Sequence, residues 1–228
     1  YSHLSKLNLI NEGFQSDKVI NVGSPMLEVL NFYKQKISDS SIMKKLNIKN
    51  KNFYLVSAHR EENIESNDRL KNIFNIIEYL SDNHNLPIIV STHPRLRKKL
   101  KGYSKKNIIL HKPFSFTDYV NLQKNSKIVI SDSGTINEEA SILGFNAINL
   151  REAHERPEAN EEAVTIMTGT NLRNVINAIK YFENNPLTNS KKEIIASYSK
   201  ENVSDAIVKI IISFINYIKQ NNYKKNIN

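Results

Sequence analysis

The sequence predicts an α/β fold, a doubly wound parallel sheet. Short runs rich in Ile and Val recur along the 228 residues, and helical periodicity fills most of the gaps between them. Within the runs, successive positions are apolar, as in strands covered on both faces and unlike strands with one wet side.

The elements follow in order. The chain opens at Tyr1, without Met, inside an amphipathic pattern (Leu4, Leu7, Ile10). This predicts a helix cut at its start and a piece of a longer protein. Residues 19–22 (Val-Ile-Asn-Val) read as a strand and 27–36 as a helix. Residues 53–57 form the next strand, and Ser66-Asn67-Asp68 supplies capping side chains for a helix over 68–82. Strands at 87–92 and 108–110 precede a helix at 117–123. A strand at 128–131 runs into a helix at 136–143, then strands at 147–150 and 164–167 precede a helix at 172–182. The last segment, 203–219, places Val203, Ala206, Ile207, Ile210, Ile211, Phe214, Ile215 and Ile218 on one broad helical face, with no later element to cover it.

Composition narrows the chemistry. Hydrophobic residues make up 39% and charged residues 24%, enough apolar surface for a real core. Cysteine is absent, which excludes disulfides, thiolate metal sites and a cysteine nucleophile. No run approaches the roughly 18 apolar residues of a spanning helix, so a cytoplasmic protein without membrane contact is expected. The net charge is +9, and residues 94–112 hold Arg95, Arg97, Lys98, Lys99, Lys101, Lys105, Lys106 and Lys112 with no acid. Zinc-finger spacing and RNA-binding aromatic runs are missing, so this cluster reads as a solvated helix face and no nucleic-acid partner is expected.

Ligands of open α/β sheets sit beyond the carboxyl ends of the strands, so residues directly after strands carry the chemistry. Ser57-Ala58-His59-Arg60-Glu61-Glu62-Asn63 follows one strand. His59 is suited to proton transfer near neutral pH and Arg60 to an anionic group. In Ser91-Thr92-His93-Pro94 the proline holds His93 extended at the strand end. Ser131-Asp132-Ser133-Gly134-Thr135 runs directly into a helix, whose N-terminus favours a phosphate. Glu138 or Glu139, one turn on, is placed to accept from vicinal hydroxyls such as a ribose. No Gly-Lys-Ser/Thr follows, so this is not an ATP-hydrolysing loop. Arg151-Glu152-Ala153-His154-Glu155-Arg156-Pro157-Glu158 reads as a structured loop, in which Arg156 could complete a diphosphate site.

Together, His-Arg-Glu-Glu-Asn at 59–63, Asp-Ser-Gly-Thr-Ile-Asn-Glu-Glu-Ala at 132–140 and Glu-Arg-Pro-Glu at 155–158 resemble the non-hydrolysing UDP-N-acetylglucosamine 2-epimerase family. The resemblance runs from Tyr1 to the final helix. Glu61 stands where many members carry Arg, Thr135 where they carry Gly, and Asn137 where they carry Gln. The 151–158 run and Asn202-Val203-Ser204 look more like the capsule and O-antigen branch, which acts on UDP-2-acetamido-2,6-dideoxy-L-hexoses.

The resemblance implies a Rossmann-like C-terminal half of a GT-B fold, with residues 1–24 the tail of a first domain, 25–200 the UDP-binding domain and 201–228 a helix returning onto that first domain. It implies epimerisation at sugar carbon 2 by elimination and re-addition of UDP, with no cofactor. His59 matches the catalytic His, Tyr119 the aromatic flanking uracil, Glu139 the carboxylate on the ribose, and Ser133, Gly134, Thr135 and Arg156 the diphosphate site. Arg60 and His93 match contacts to substrate or to a regulatory UDP-sugar. The family's sugar-facing carboxylates lie in the first domain, as does its dimer interface. This chain alone is therefore expected to bind UDP but turn over poorly, and to dimerise only as part of the full-length protein. A GT-B glycosyltransferase, a hydrolysing epimerase and a non-catalytic basic binding module are the rivals.

Overall fold

The computed structural model describes residues 1–92, 105, 107–153, 156–185 and 194–225, with side chains up to residue 217. These form two compact units, one of Tyr33–Ile194 and one joining Tyr1–Phe32 to Ile195–Asn228.

The larger unit holds one parallel sheet of β1 (Tyr54–Ala58), β2 (Ile88–Thr92), β3 (Ile108–His111), β4 (Ile128–Ser131), β5 (Ala147–Asn149) and β6 (Ile166–Met167). The spatial order is β3-β2-β1-β4-β5-β6, with Tyr54 of β1 level with Ile88 of β2 and Ile128 of β4. Among the described residues the α-helices, in chain order, are α1 (His3–Asn11), α2 (Met26–Phe32), α3 (Lys34–Ser38), α4 (Ile42–Lys45), α5 (Glu61–Glu65), α6 (Asn67–Asn83), α7 (Phe116–Asn125), α8 (Ile136–Leu143), α9 (Pro157–Glu161), α10 (Leu172–Asn184) and α11 (Val203–Lys225).

Alternating side chains divide the core into two layers, as the pleat requires. Tyr54, Val56, Ile88, Val90, Ile128 and Ile130 pack under Ile73, Ile76, Ile77 and Leu80 of α6 and Val175, Ile179 and Phe182 of α10. Leu55, Ile89, Val129 and Ala147 face the other way, against Leu122 of α7 and Ile136 and Ala140 of α8. The strands open with apolar residues on successive positions because both faces are covered, and five of them turn polar toward their carboxyl ends, at Ser57, Ser91, His111, Ser131 and Asn149. The long helix between β1 and β2 (α6) and the helix after β4 (α8) therefore lie on opposite faces. Adjacent strands whose connections diverge in this way open a crevice at their carboxyl ends, the usual ligand position in this topology.

In the smaller unit, α11 presents its residues unequally. Val203 is buried, whereas Ile207, Ile211, Ile212 and Ile215 are exposed. Glu28 accepts from both the backbone N–H and the hydroxyl of Ser204 at the start of α11. Among the described residues no helix is long and apolar enough to cross a membrane.

Three expectations are corrected. Residues 19–22 form no strand: Val19 is extended (φ −110°, ψ 108°), but this stretch finds no ladder partner, and the chain pairs through Ser24, whose N–H donates to the Ser197 carbonyl at 2.9 Å. β-branched residues favour extended backbone, yet a strand also needs a neighbour. The helix expected over 27–36 is broken at Tyr33 (φ −93°, ψ 4°) into α2 and α3. The opening helix is not cut at Tyr1. It starts at His3 behind Ser2, whose hydroxyl accepts from the Ser5 N–H at 3.1 Å. His93 and most of the basic cluster at 94–112 lie outside the described residues.

Candidate functional site

The crevice between β1 and β4 is where the chemistry-bearing loops meet. After Ala58 the chain leaves the sheet through His59 and Arg60 and enters α5; after Ser131 it passes through Asp132–Thr135 into α8. Asp132 ties the two loops together. Its fully buried carboxylate accepts from the His59 N–H (3.2 Å to Oδ1, 3.1 Å to Oδ2), the Arg60 N–H (3.0 Å to Oδ2) and Asn63 Nδ2 (3.0 Å to Oδ2). A buried carboxylate needs such donors to replace its lost hydration. The His59 imidazole is half exposed, and its Nδ1 lies 3.2 Å from Asp132 Oδ1.

The second loop is stitched by its own hydroxyls. Ser133 N–H donates to Ser131 Oγ (3.1 Å), Thr135 N–H donates to Ser133 Oγ (3.3 Å), and the Ser133 and Thr135 hydroxyls lie 3.0 Å apart. Ser133, Gly134 and Thr135 remain partly exposed at the start of α8, where the unpaired N–H groups of a helix attract negative charge. At the other end Gly144, in the left-handed region (φ 70°), closes α8 with its N–H on the Ala140 carbonyl.

Two acids follow in the first turn and are held differently. Glu138 is paired with Arg156, Nε to Oε1 at 2.7 Å, so the guanidinium is anchored at the head of α8. Glu139 accepts from Thr135 Oγ1 at 2.9 Å and Gln123 Nε2 at 2.5 Å. Burial raises the pKa of Glu139, with the Gln123 and Thr135 hydrogen bonds opposing the shift. Tyr119 of α7 packs its ring against the second core layer, and its hydroxyl is buried beside Ser57 and Ser131 at the strand ends. Burial also pushes the Tyr119 phenol up, so it stays neutral at any physiological pH. Gln123 Oε1 is likewise buried without a partner among the described residues.

The structure thus gathers His59, Arg60, Tyr119, Ser133, Gly134, Thr135, Glu139 and Arg156 at the carboxyl ends of β1 and β4. His93 lies outside the described residues. Sequence reasoning passed over Asp132, Asn63 and Gln123 as site-building residues, and placed Glu138 only as an alternative acceptor for the ribose, where the structure pairs it with Arg156. The first two stand inside the quoted motifs, and a lone Asp directly after a buried strand was the available signal for Asp132. Gln123 sits on another helix, and nothing in its local sequence announces its partner. Among the described residues no group of three His, Asp or Glu is placed to hold a metal ion.

The chain matches the family model described as UDP-N-acetylglucosamine 2-epimerase over residues 2–212. It is 31% identical over 206 residues to UDP-N-acetylglucosamine 2-epimerase of Methanocaldococcus jannaschii, covering 83% of this chain and 56% of the relative. The solved UDP-N-acetylglucosamine 2-epimerase from Rickettsia bellii superposes with TM-score 0.84 at 36% identity, over 96% of this chain and 60% of that one. The M. jannaschii enzyme solved with UDP-GlcNAc and UDP superposes with TM-score 0.80 at 28% identity, over 93% and 59%. The chain therefore spans a little over half the length of these relatives.

Proposed function

The chain belongs to the UDP-N-acetylglucosamine 2-epimerase family, and on that premise we propose that it is the UDP-binding half of a non-hydrolysing UDP-N-acetylhexosamine 2-epimerase. The observation that carries this is the single crevice in which the His59 loop, the Ser133–Thr135 helix start and Arg156 converge. A M. jannaschii relative solved with UDP-GlcNAc and UDP supports the nucleotide-sugar as ligand.

In the proposed reaction a base removes the proton from sugar carbon 2 while the carbon 1–oxygen bond to UDP breaks, leaving a glycal and UDP. Protonation at carbon 2 from the other face and re-addition of UDP at carbon 1 give the epimer. Elimination and re-addition leave substrate and product at the same oxidation level, with no electrons gained or lost, so no redox cofactor enters. UDP departs readily only where its diphosphate is stabilised, which is the part given to Ser133, Gly134 and Thr135 at the head of α8 and to Arg156. Arg60 and His93 contact the substrate, Tyr119 lies along the base, and Glu139 accepts from the ribose hydroxyls when the Thr135 or Gln123 donor turns away from its carboxylate. His59 acts on the departing UDP or on the proton transfer.

The acids facing the sugar belong to the half of the protein outside this chain, so the chain alone turns over feebly. Residues 1–24 belong to the end of that first half, 25–200 to the nucleotide domain, and the exposed apolar row of α11 is covered when the protein is whole. The whole protein is a homodimer. The Arg151–Glu158 run supports the capsule and O-antigen branch, with UDP-2-acetamido-2,6-dideoxy-L-talose the sugar nucleotide and surface polysaccharide precursors the product.

The test is turnover by the full-length protein with UDP-GlcNAc or the 6-deoxy substrate and no acceptor, in deuterated water. A 2-epimer carrying deuterium at carbon 2, without net UDP release, is expected. Free UDP with a reducing sugar would make it a hydrolysing enzyme. No change without an acceptor sugar would make it a glycosyltransferase.

A further inference from the structure

The two oxygens of Asp132 are used unequally. Oδ2 takes three N–H donors, from His59, Arg60 and Asn63 (3.1, 3.0 and 3.0 Å). Oδ1 takes only the longer branch of the His59 N–H, at 3.2 Å, and faces the His59 ring nitrogen Nδ1 at the same distance. The loop is already anchored through Oδ2, so the ring contact is a separate feature. A neutral imidazole carries one N–H. Placed on Nε2, it would leave the Nδ1 lone pair against a buried carboxylate oxygen, which is repulsive. Placed on Nδ1, it gives a charge-assisted contact.

We propose that Asp132 is a positioning residue that holds His59 in the Nδ1–H tautomer, so that Nε2 is the nitrogen offered to the crevice. This rests on the proposed UDP-binding role of the site. A neutral Nε2 accepts a proton, and once protonated it donates to the diphosphate while Asp132 balances the imidazolium charge. A carboxylate behind a catalytic imidazole does the same in other enzymes, where it sets tautomer and orientation without itself taking the proton. Asp132 thereby couples the loop after β1 to the loop after β4, so that proton handling and diphosphate binding share one rigid joint.

The first readout uses the unaltered chain. Two-bond 15N–1H correlation spectra at pH 8 on histidine-labelled protein, with His59 assigned by His59→Asn, distinguish the tautomers. Nδ1 is expected as the protonated nitrogen of His59, and Nε2 protonation would overturn the proposal whether or not UDP binds. The second readout is a double-mutant cycle in UDP affinity with Asp132→Asn and His59→Asn, each confirmed to unfold cooperatively. Asp132→Asn is expected to weaken UDP roughly tenfold with His59 present and less than about twofold with His59→Asn. An equal loss in both backgrounds would make Asp132 a purely structural anchor and overturn the proposal. A chain that binds no UDP defeats the functional reading instead, and the tautomer then decides this inference by itself.

Discussion

Glu139 meets two demands that oppose each other. It must be buried to sit at the head of α8, and burial holds its pKa above the ordinary value of 4.5. A carboxyl whose folded pKa is raised contributes most to stability below its unfolded pKa, and that contribution is lost as the pH rises through the folded value. Glu139→Gln should therefore unfold at a higher temperature than the parent at pH 8 and at the same temperature at pH 4. Gln123, whose Oε1 lacks a partner, can turn its amide to receive the new N–H. Arg156 poses the reverse case. Removing it leaves Glu138 as a buried, uncompensated charge, so Arg156→Ala should cost about 3 kcal/mol in urea unfolding. Adding Glu138→Gln should recover most of that stability without recovering UDP affinity. A recovery of both would mean that Arg156 serves only the fold.

Between elements, the amino end of the sheet carries a polar network, at the opposite end from the crevice. Tyr54 Oη on β1 donates to Glu183 Oε1 on α10 at 2.9 Å, and Lys127 Nζ, just before β4, reaches the same oxygen at 2.6 Å. His84, which ends α6, places Nδ1 3.2 Å from the Tyr54 hydroxyl and buries Nε2 without a partner among the described residues. Since Tyr54 spends its proton on Glu183, Nδ1 carries the imidazole proton, and a second proton on Nε2 would find no acceptor. Burial accordingly lowers the His84 pKa from 6.5, Glu183 opposing and Lys127 adding to the shift. A depressed histidine contributes stability that is full above its unfolded pKa and is lost as the pH falls through the folded one. The unfolding midpoint should thus fall as the pH is lowered below about 6.5 in the parent, and much less in His84→Gln. A midpoint equally sensitive in both proteins would remove His84 from the account. Within the layers themselves, Ile130→Ala should cost about 3 kcal/mol, read by urea unfolding.

The same scale shows what the sequence could reveal. The strands were legible because Ile and Val filled successive positions, a pattern that a two-faced sheet imposes and the structure explains by its two core layers. The stretch at 19–22 had that composition too, but strand formation depends on a neighbour, which no local window contains. The break at Tyr33 and the short helices α4, α5 and α9 were missed, since a single turn has no period to detect. The placement of His59, Ser133 and Glu139 around one crevice was legible because they directly follow strands or lie in the first turn of a helix. The partners of Asp132 lie on the loop after β1 and that of Gln123 is Glu139 on a different helix, so no local window shows the role of either.

At the scale of the molecule, the chain supplies a sheet with a crevice at its carboxyl end and leaves the apolar row of α11 exposed, and it spans a little over half the length of its relatives. The most direct test is the thermal unfolding of the chain with and without millimolar UDP, repeated with Ser133→Ala and Glu139→Gln. At 100 times its dissociation constant UDP adds roughly 2.7 kcal/mol of apparent stability, a rise of several degrees. That rise in the parent, absent in both variants, is the predicted result. A parent that unfolds cooperatively at the same temperature with and without UDP would contradict the assignment of the nucleotide site to this half.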